Sequence, residues 1–230
     1  MSNIKATILT PTPRLESSKL FFSTLGFQQF SENPLLYSDG KAYIEINPDR
    51  YARAGIKLYK NSWLDEVKKL AEITYIKETK EGYLLNDSSG AWIYLHEGEL
   101  TTALTQSENS FSILGNSMGI SLECMDAQKS YEIFTILGFQ PIYGSLDSGF
   151  VVMANGDFGV SIMKPLTCPH LFFSPSLNYF NGVENLQVIQ KIRDLKIPIT
   201  EEITYFNKEG IVDNIIIRDP GGLGFFIFSD

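Results

Sequence analysis

Few side chains in this sequence have the types and spacing that chemistry requires. Two cysteines, Cys124 and Cys168, and two histidines, His96 and His170, supply all its thiol and imidazole groups. No CxxC pair and no Cys/His zinc spacing joins them, and two cysteines make no disulfide framework. Both read as reduced thiols, buried for structure rather than activated. His96 next to Glu97 has the composition of an acid–base pair. Neighbours in a strand point to opposite faces, however, which separates the two. His170 stands between Pro169 and Leu171 in a connection. Gly221-Gly222 has the look of a phosphate loop, but it leads into a strand and not a helix N-terminus. Three short runs carry the remaining candidates at alternate positions: Trp92, Tyr94 and His96; Tyr43, Glu45 and Asn47; Gly55, Lys57 and Tyr59. Alternation puts each set on one face of its strand.

The elements that must position these residues repeat along the chain. Leu25-Gly26-Phe27-Gln28 recurs as Leu137-Gly138-Phe139-Gln140, each time closing an amphipathic segment, Leu15 to Leu25 and Ala127 to Leu137. Gly26 and Gly138 stand where a helix C-terminus favours a left-handed residue, and Asp126 is placed to cap the later helix. Further helices are expected over Ser62 to Glu72, opened by Ser62 and Asp65 as a capping box, and over Glu184 to Leu195, stopped by Pro198. Asn86-Asp87-Ser88-Ser89-Gly90 matches Arg218-Asp219-Pro220-Gly221-Gly222, each a turn that launches a strand. Asp39-Gly40 and Asn155-Gly156 mark hairpins between β-branched and aromatic runs.

The repeating unit is strand, helix, then three strands, over residues 3–50, 53–98, 116–165 and 176–230. Residues 1–98 form a first domain, 99–115 a polar linker and 116–230 a second domain. The 230 residues are 43% hydrophobic and 20% charged, as in an ordinary globular protein. A net charge of −8 disfavours nucleic acid and anionic membranes as partners. The chain shows neither the apolar core of a signal peptide nor a membrane span, so a cytoplasmic location is expected.

Four βαβββ units, with LGF closing the first helix and DPGG before the last strand, resemble the vicinal-oxygen-chelate superfamily. Its members include glyoxalase I, bleomycin-resistance proteins, fosfomycin-resistance enzymes and extradiol dioxygenases. The resemblance implies an α+β protein of two cup-shaped antiparallel sheet domains, helices outside and the ligand inside a cup. In the metalloenzymes of that superfamily, four strand positions per cup hold a divalent ion. Those positions fall on Thr7, Glu45, Gly55 and Tyr94 in the first domain, and on Gly119, Ser161, Leu177 and Phe226 in the second. Glu45 alone has a ligand-type side chain, and one carboxylate does not hold a catalytic ion. No metal and no other cofactor is therefore expected.

Within such a cup, Tyr43, Glu45, Lys57, Tyr59, Trp92, Tyr94 and His96 would line one cavity. An aromatic wall with few charged groups suits a small aromatic or cationic ligand. Trp92 and Tyr94 would stack on it, and Glu45 would meet its positive or hydrogen-donating end. In the second cup Met163, Phe226 and Phe228 are expected inward, with Ser121, Glu123, Ser161 and Tyr179, and closed as core. The leading expectation is a metal-independent small-molecule-binding protein, monomeric or homodimeric. A second reading keeps a divergent metal-dependent lyase or dioxygenase, with Glu45 and His96 converging on the ion. A third treats both cups as filled and the protein as an interaction module.

Overall fold

A computed structural model describes residues 4–100 and 107–229, and within them the βαβββ unit occurs four times. The first unit is β1 (Lys5–Pro11), α1 (Leu15–Thr24), β2 (Gln28–Glu32), β3 (Leu35–Ser38) and β4 (Tyr43–Asn47). The second is β5 (Gly55–Lys60), α2 (Leu64–Leu70), β6 (Lys77–Thr79), β7 (Gly82–Asn86) and β8 (Trp92–Glu97). The third is β9 (Ser117–Glu123), α3 (Ala127–Ile136), β10 (Gln140–Ser145), β11 (Phe150–Asn155) and β12 (Phe158–Met163). The fourth is β13 (Ser176–Phe180), α4 (Asn185–Asp194), β14 (Ile199–Ile203), β15 (Asn214–Arg218) and β16 (Gly224–Phe228). No helix of the described residues is long and apolar enough to cross a membrane.

Each pair of units makes one eight-stranded sheet, ordered β2-β3-β4-β1-β5-β8-β7-β6 and β10-β11-β12-β9-β13-β16-β15-β14. The hairpins are antiparallel, while β1 runs parallel to β4, β5 to β8, β9 to β12 and β13 to β16. Gly26 and Gly138 close α1 and α3 with φ of 91° and 89°, the left-handed turn their helix ends require. Asp126 caps α3 by accepting the Lys129 N–H at 2.9 Å. The capping box expected at Ser62 and Asp65 does not form. Helix α2 opens later, at Leu64, and Glu97 of β8 accepts the Trp63 N–H at 3.0 Å. The Ser62 hydroxyl accepts the Leu64 N–H at 3.4 Å, and a carboxylate from the neighbouring strand supplies the acceptor for Trp63.

The helix-side faces of both sheets share one core. Ile8, Ile44, Ile56 and Ile93 of the first belong to the same apolar cluster as Ile120, Ile162, Leu177 and Ile227 of the second. Phe21 and Phe22 of α1 reach Phe225 of β16, with ring centroids 5.7 and 6.2 Å apart. The matched turns cross between domains reciprocally. Asp87 of the first domain accepts from Ser130 at 3.1 Å and Cys124 at 3.3 Å in the second. Asp219 of the second accepts from Thr10 of the first at 2.6 Å. Burial first, then the Asp87 charge, pushes the Cys124 thiol up to about 12, which keeps it a protonated donor. Residues 101–106 of the expected linker lie outside the described residues. Leu100 and Leu114, which flank them, are buried, so the linker does supply core material.

Two outcomes test this interface. Gly221 packs so closely that a Cβ there would lie 1.9 Å from the Pro11 carbonyl oxygen. Gly221→Ala should therefore lower stability by about 2 kcal/mol, the scale of overpacking, measured by urea unfolding. Burial raises Asp219 to about 6 from 3.8, partly offset by hydrogen bonds from Thr10 and the backbone of Leu223, Gly222 and Gly221. The folded chain then holds this proton more tightly than the unfolded chain. Its contribution to stability is full below the unfolded value and is lost as pH rises through about 6. Asp219→Asn should flatten the rise in urea midpoint on acidification from pH ~7 to ~4.5.

Candidate functional site

The face of the first sheet turned away from the helices collects the residues that the alternation pattern singles out. In the ladder, Leu9 lies opposite Glu45, Thr7 opposite Lys57, Lys57 beside Tyr94, and Tyr59 beside His96. Trp92 lies beside Gly55, where a Cβ would approach the Trp92 carbonyl oxygen to 2.0 Å. A glycine is needed there for β5 and β8 to pair so closely. Glu97, next to His96, turns to the helix side and holds Trp63, as strand parity requires.

The centre of this inner face is an ion pair. Lys57 Nζ lies 3.6 Å from Glu45 Oε2 and 3.8 Å from Glu81 Oε2. Glu45 is 5% exposed. The Tyr59 hydroxyl donates to the same Glu45 oxygen at 3.5 Å, and the Lys57 ammonium sits 5.6 Å over the Tyr59 ring. Burial, then the Glu45 charge, drives the Tyr59 phenol far above its usual range, so it remains a neutral donor. His96 stacks obliquely on Tyr59 at 5.1 Å and turns Nδ1 toward Glu81 at 3.5 Å. Tyr94 is raised by burial and accepts the Arg53 backbone N–H, and Tyr43 packs against Phe30 at 5.2 Å. Trp92 and Tyr94 are half-buried.

These residues share a face, and two pockets among the described residues divide them. Leu100 packs with Leu36 and Tyr59. Pockets of ≈ 570 and ≈ 500 Å³ take up different residues, one Glu45 beside Gln29 and Asn47, the other Tyr59 beside Lys60 and Leu100. Glu45 and Lys57 satisfy one another's charge, so neither needs a large water-filled space.

The second inner face follows the expected parity at Ser121, Ser161, Phe226 and Phe228, with one correction. Leu177 and Tyr179 belong to the core on the helix side. Asn178 lies between them, beside Phe226 in the ladder, and it occupies the inner face in their place. A one-residue shift in β13 reverses every facing along that strand. Tyr179 instead crosses to the first domain and donates to Asp39 at 3.1 Å.

The architecture has counterparts among solved structures. Homoprotocatechuate 2,3-dioxygenase from Arthrobacter globiformis matches with a TM-score of 0.58 and 14% identity over 96% of this chain and 78% of that one. A 2,2′,3-trihydroxybiphenyl 1,2-dioxygenase from Sphingomonas wittichii strain RW1 matches at 0.56, with 12% identity over 100% and 93%. The Mn(II)-bound glyoxalase from Novosphingobium aromaticivorans matches at 0.52, with 12% identity over 97% and 80%. The chain has the vicinal-oxygen-chelate fold. No family model matches the sequence, and no curated protein matches it.

The residues at the metal positions of this fold do not fit a divalent ion. Glu45 is the one carboxylate among Thr7, Glu45, Gly55 and Tyr94, and an ammonium already faces it at 3.6 Å. Gly119, Ser161, Leu177 and Phe226 provide no strong ligand, and Leu177 faces the core. Among the described residues, no three His, Cys, Asp or Glu side chains form a metal-holding group. Glu45 and His96 both touch Tyr59 but turn to different partners, Lys57 and Glu81.

The ion pair predicts an asymmetry between single and double variants. Lys57→Met leaves the Glu45 carboxylate buried without its cation and should lower stability by about 3 kcal/mol. Adding Glu45→Gln removes that charge and should restore a large part of the loss. Urea unfolding of the single and double variants measures the difference.

Proposed function

We propose that this chain is a small-molecule-binding protein that uses the inner face of its first sheet without a metal ion. The observation that carries the reading is the Lys57–Glu45 pair, in which a protein ammonium lies 3.6 Å from the carboxylate at the fold's metal position. With its countercharge built in, Glu45 has little to offer a divalent ion. Ligand contact falls to the half-buried rings of Trp92 and Tyr94, with His96 on the same strand. The favoured ligand is a small aromatic molecule with a positive or hydrogen-donating end. Trp92 and Tyr94 stack on its ring. Its polar end meets the carboxylate of Glu81, 69% exposed at the edge of the Lys57–Glu45 pair.

Three measurements test this reading. Trp63 is fully buried, so the half-buried Trp92 is the tryptophan that a ligand on this face would reach. Phenethylammonium should quench tryptophan emission saturably, and Trp92→Ala should weaken its binding by about tenfold in calorimetry, the scale of one lost stacking contact. Binding unchanged by Trp92→Ala would move the site elsewhere. Elemental analysis after dialysis should find no stoichiometric manganese, iron, nickel or zinc, and a retained equivalent would overturn the metal-free reading.

A further inference from the structure

The segment between β12 and β13, residues 164–175, forms neither helix nor strand, yet it is laid across the inner face of the second sheet at several points. The Leu166 N–H donates to Glu123 at 2.9 Å, and the Leu171 N–H donates to Glu201 at 2.7 Å. The Arg218 guanidinium covers the Phe173 ring at 4.5 Å. Held in this way, His170 enters a box of phenyl rings. Its ring centroid lies 5.0 Å from Phe226, 5.1 Å from Phe228, 6.0 Å from Phe172 and 6.2 Å from Phe206. Nδ1 of His170 bonds within the segment, 2.8 Å from the Leu171 carbonyl oxygen.

Phenyl rings at these distances on several sides are the surroundings that attract a nitrogen cation. The Glu201 carboxylate, which also accepts from the Tyr205 hydroxyl at 3.1 Å, adds negative charge beside the box. A second, independent feature lies next to Phe226. Asn178 is 3% exposed, and its Nδ2 donates to Ser121 at 2.7 Å. Its Oδ1 is buried with no hydrogen-bond partner. Leaving a buried acceptor unpaired is unfavourable, and a ligand N–H would supply the missing bond.

We propose that the inner face of the second sheet is a binding site for a small nitrogen cation bearing an N–H, of the imidazolium or alkylammonium class, which the chain itself occupies with His170. The segment acts as a tethered stand-in for that ligand. Its imidazole fills the phenyl box but leaves the Asn178 acceptor unpaired, so a free cation that reaches both competes with it. This site shares no residue with the inner face of the first sheet and stands or falls separately from it.

The test uses the full chain, near pH ~6, where free imidazole is largely cationic. Calorimetry compares imidazole binding to the parent chain and to His170→Ala. The variant should bind at least about tenfold more tightly, since the box is then vacant. Phe228→Leu added to His170→Ala should remove that gain. Asn178→Ala added to His170→Ala should weaken imidazole but not tetramethylammonium, which has no N–H. Equal affinity in parent and His170→Ala, or a gain that survives Phe228→Leu, would overturn the proposal. Should His170→Ala not fold, the parent chain decides the matter by proton magnetic resonance. Ring currents of the four phenyl groups displace the His170 ring signals, and deuterated imidazole should return them toward the positions of a free histidine. Signals unmoved up to the solubility limit of the probe would equally overturn it.

Discussion

A sheet in this fold can cover only one of its faces with helices, and here both sheets bury that face in the same core. Ile8 and Ile44 of one sheet and Ile120 and Ile162 of the other belong to a single cluster. The reciprocal turns that carry Asp87 and Asp219 hold the two sheets together. The second faces receive no helical cover and must each be satisfied by other means.

The two faces solve the same problem differently, position by position. By their place in the ladders, Ser161, Asn178, Phe226 and Phe228 stand where the first sheet has Glu45, Lys57, Tyr94 and His96. The first face keeps a buried charge and balances it with an ammonium and a phenol. The second exchanges charge for phenyl rings and lays a connecting segment over them. Leu100 adds to the first face from the chain that leaves β8.

Buried carboxylates recur at each critical contact, and their partners decide what they do. Glu45 meets the Lys57 ammonium on the inner face of the first sheet. Asp39 and Asp219 meet neutral donors, Tyr179 and Thr10, across the domain interface. Burial outweighs those hydrogen bonds and raises both acids from their ordinary value. The interface thus loses stability as pH rises, and the first inner face carries the ion pair.

Much of this was legible in the residues themselves. The LGF repeat, the Asp-Gly and Asn-Gly turns and the paired Asp-containing turns mark four units, because helix ends and hairpins draw on local backbone preferences. Period-two alternation likewise groups Trp92 with Tyr94 and His96, and Glu45 with Tyr43, since that relation lies within one strand. Only the tertiary structure decided what depends on contacts between distant segments. The facing of β13 follows from its pairing with β16, which puts Asn178 inward and sends Tyr179 to Asp39. The start of α2 rests on Glu97 of β8, Leu100 packs onto Leu36 and Tyr59, and His170 reaches the second sheet through tethers to Glu123 and Glu201. Local sequence sets how residues relate within an element; which face meets which neighbour is set by pairing and packing between elements far apart in the chain.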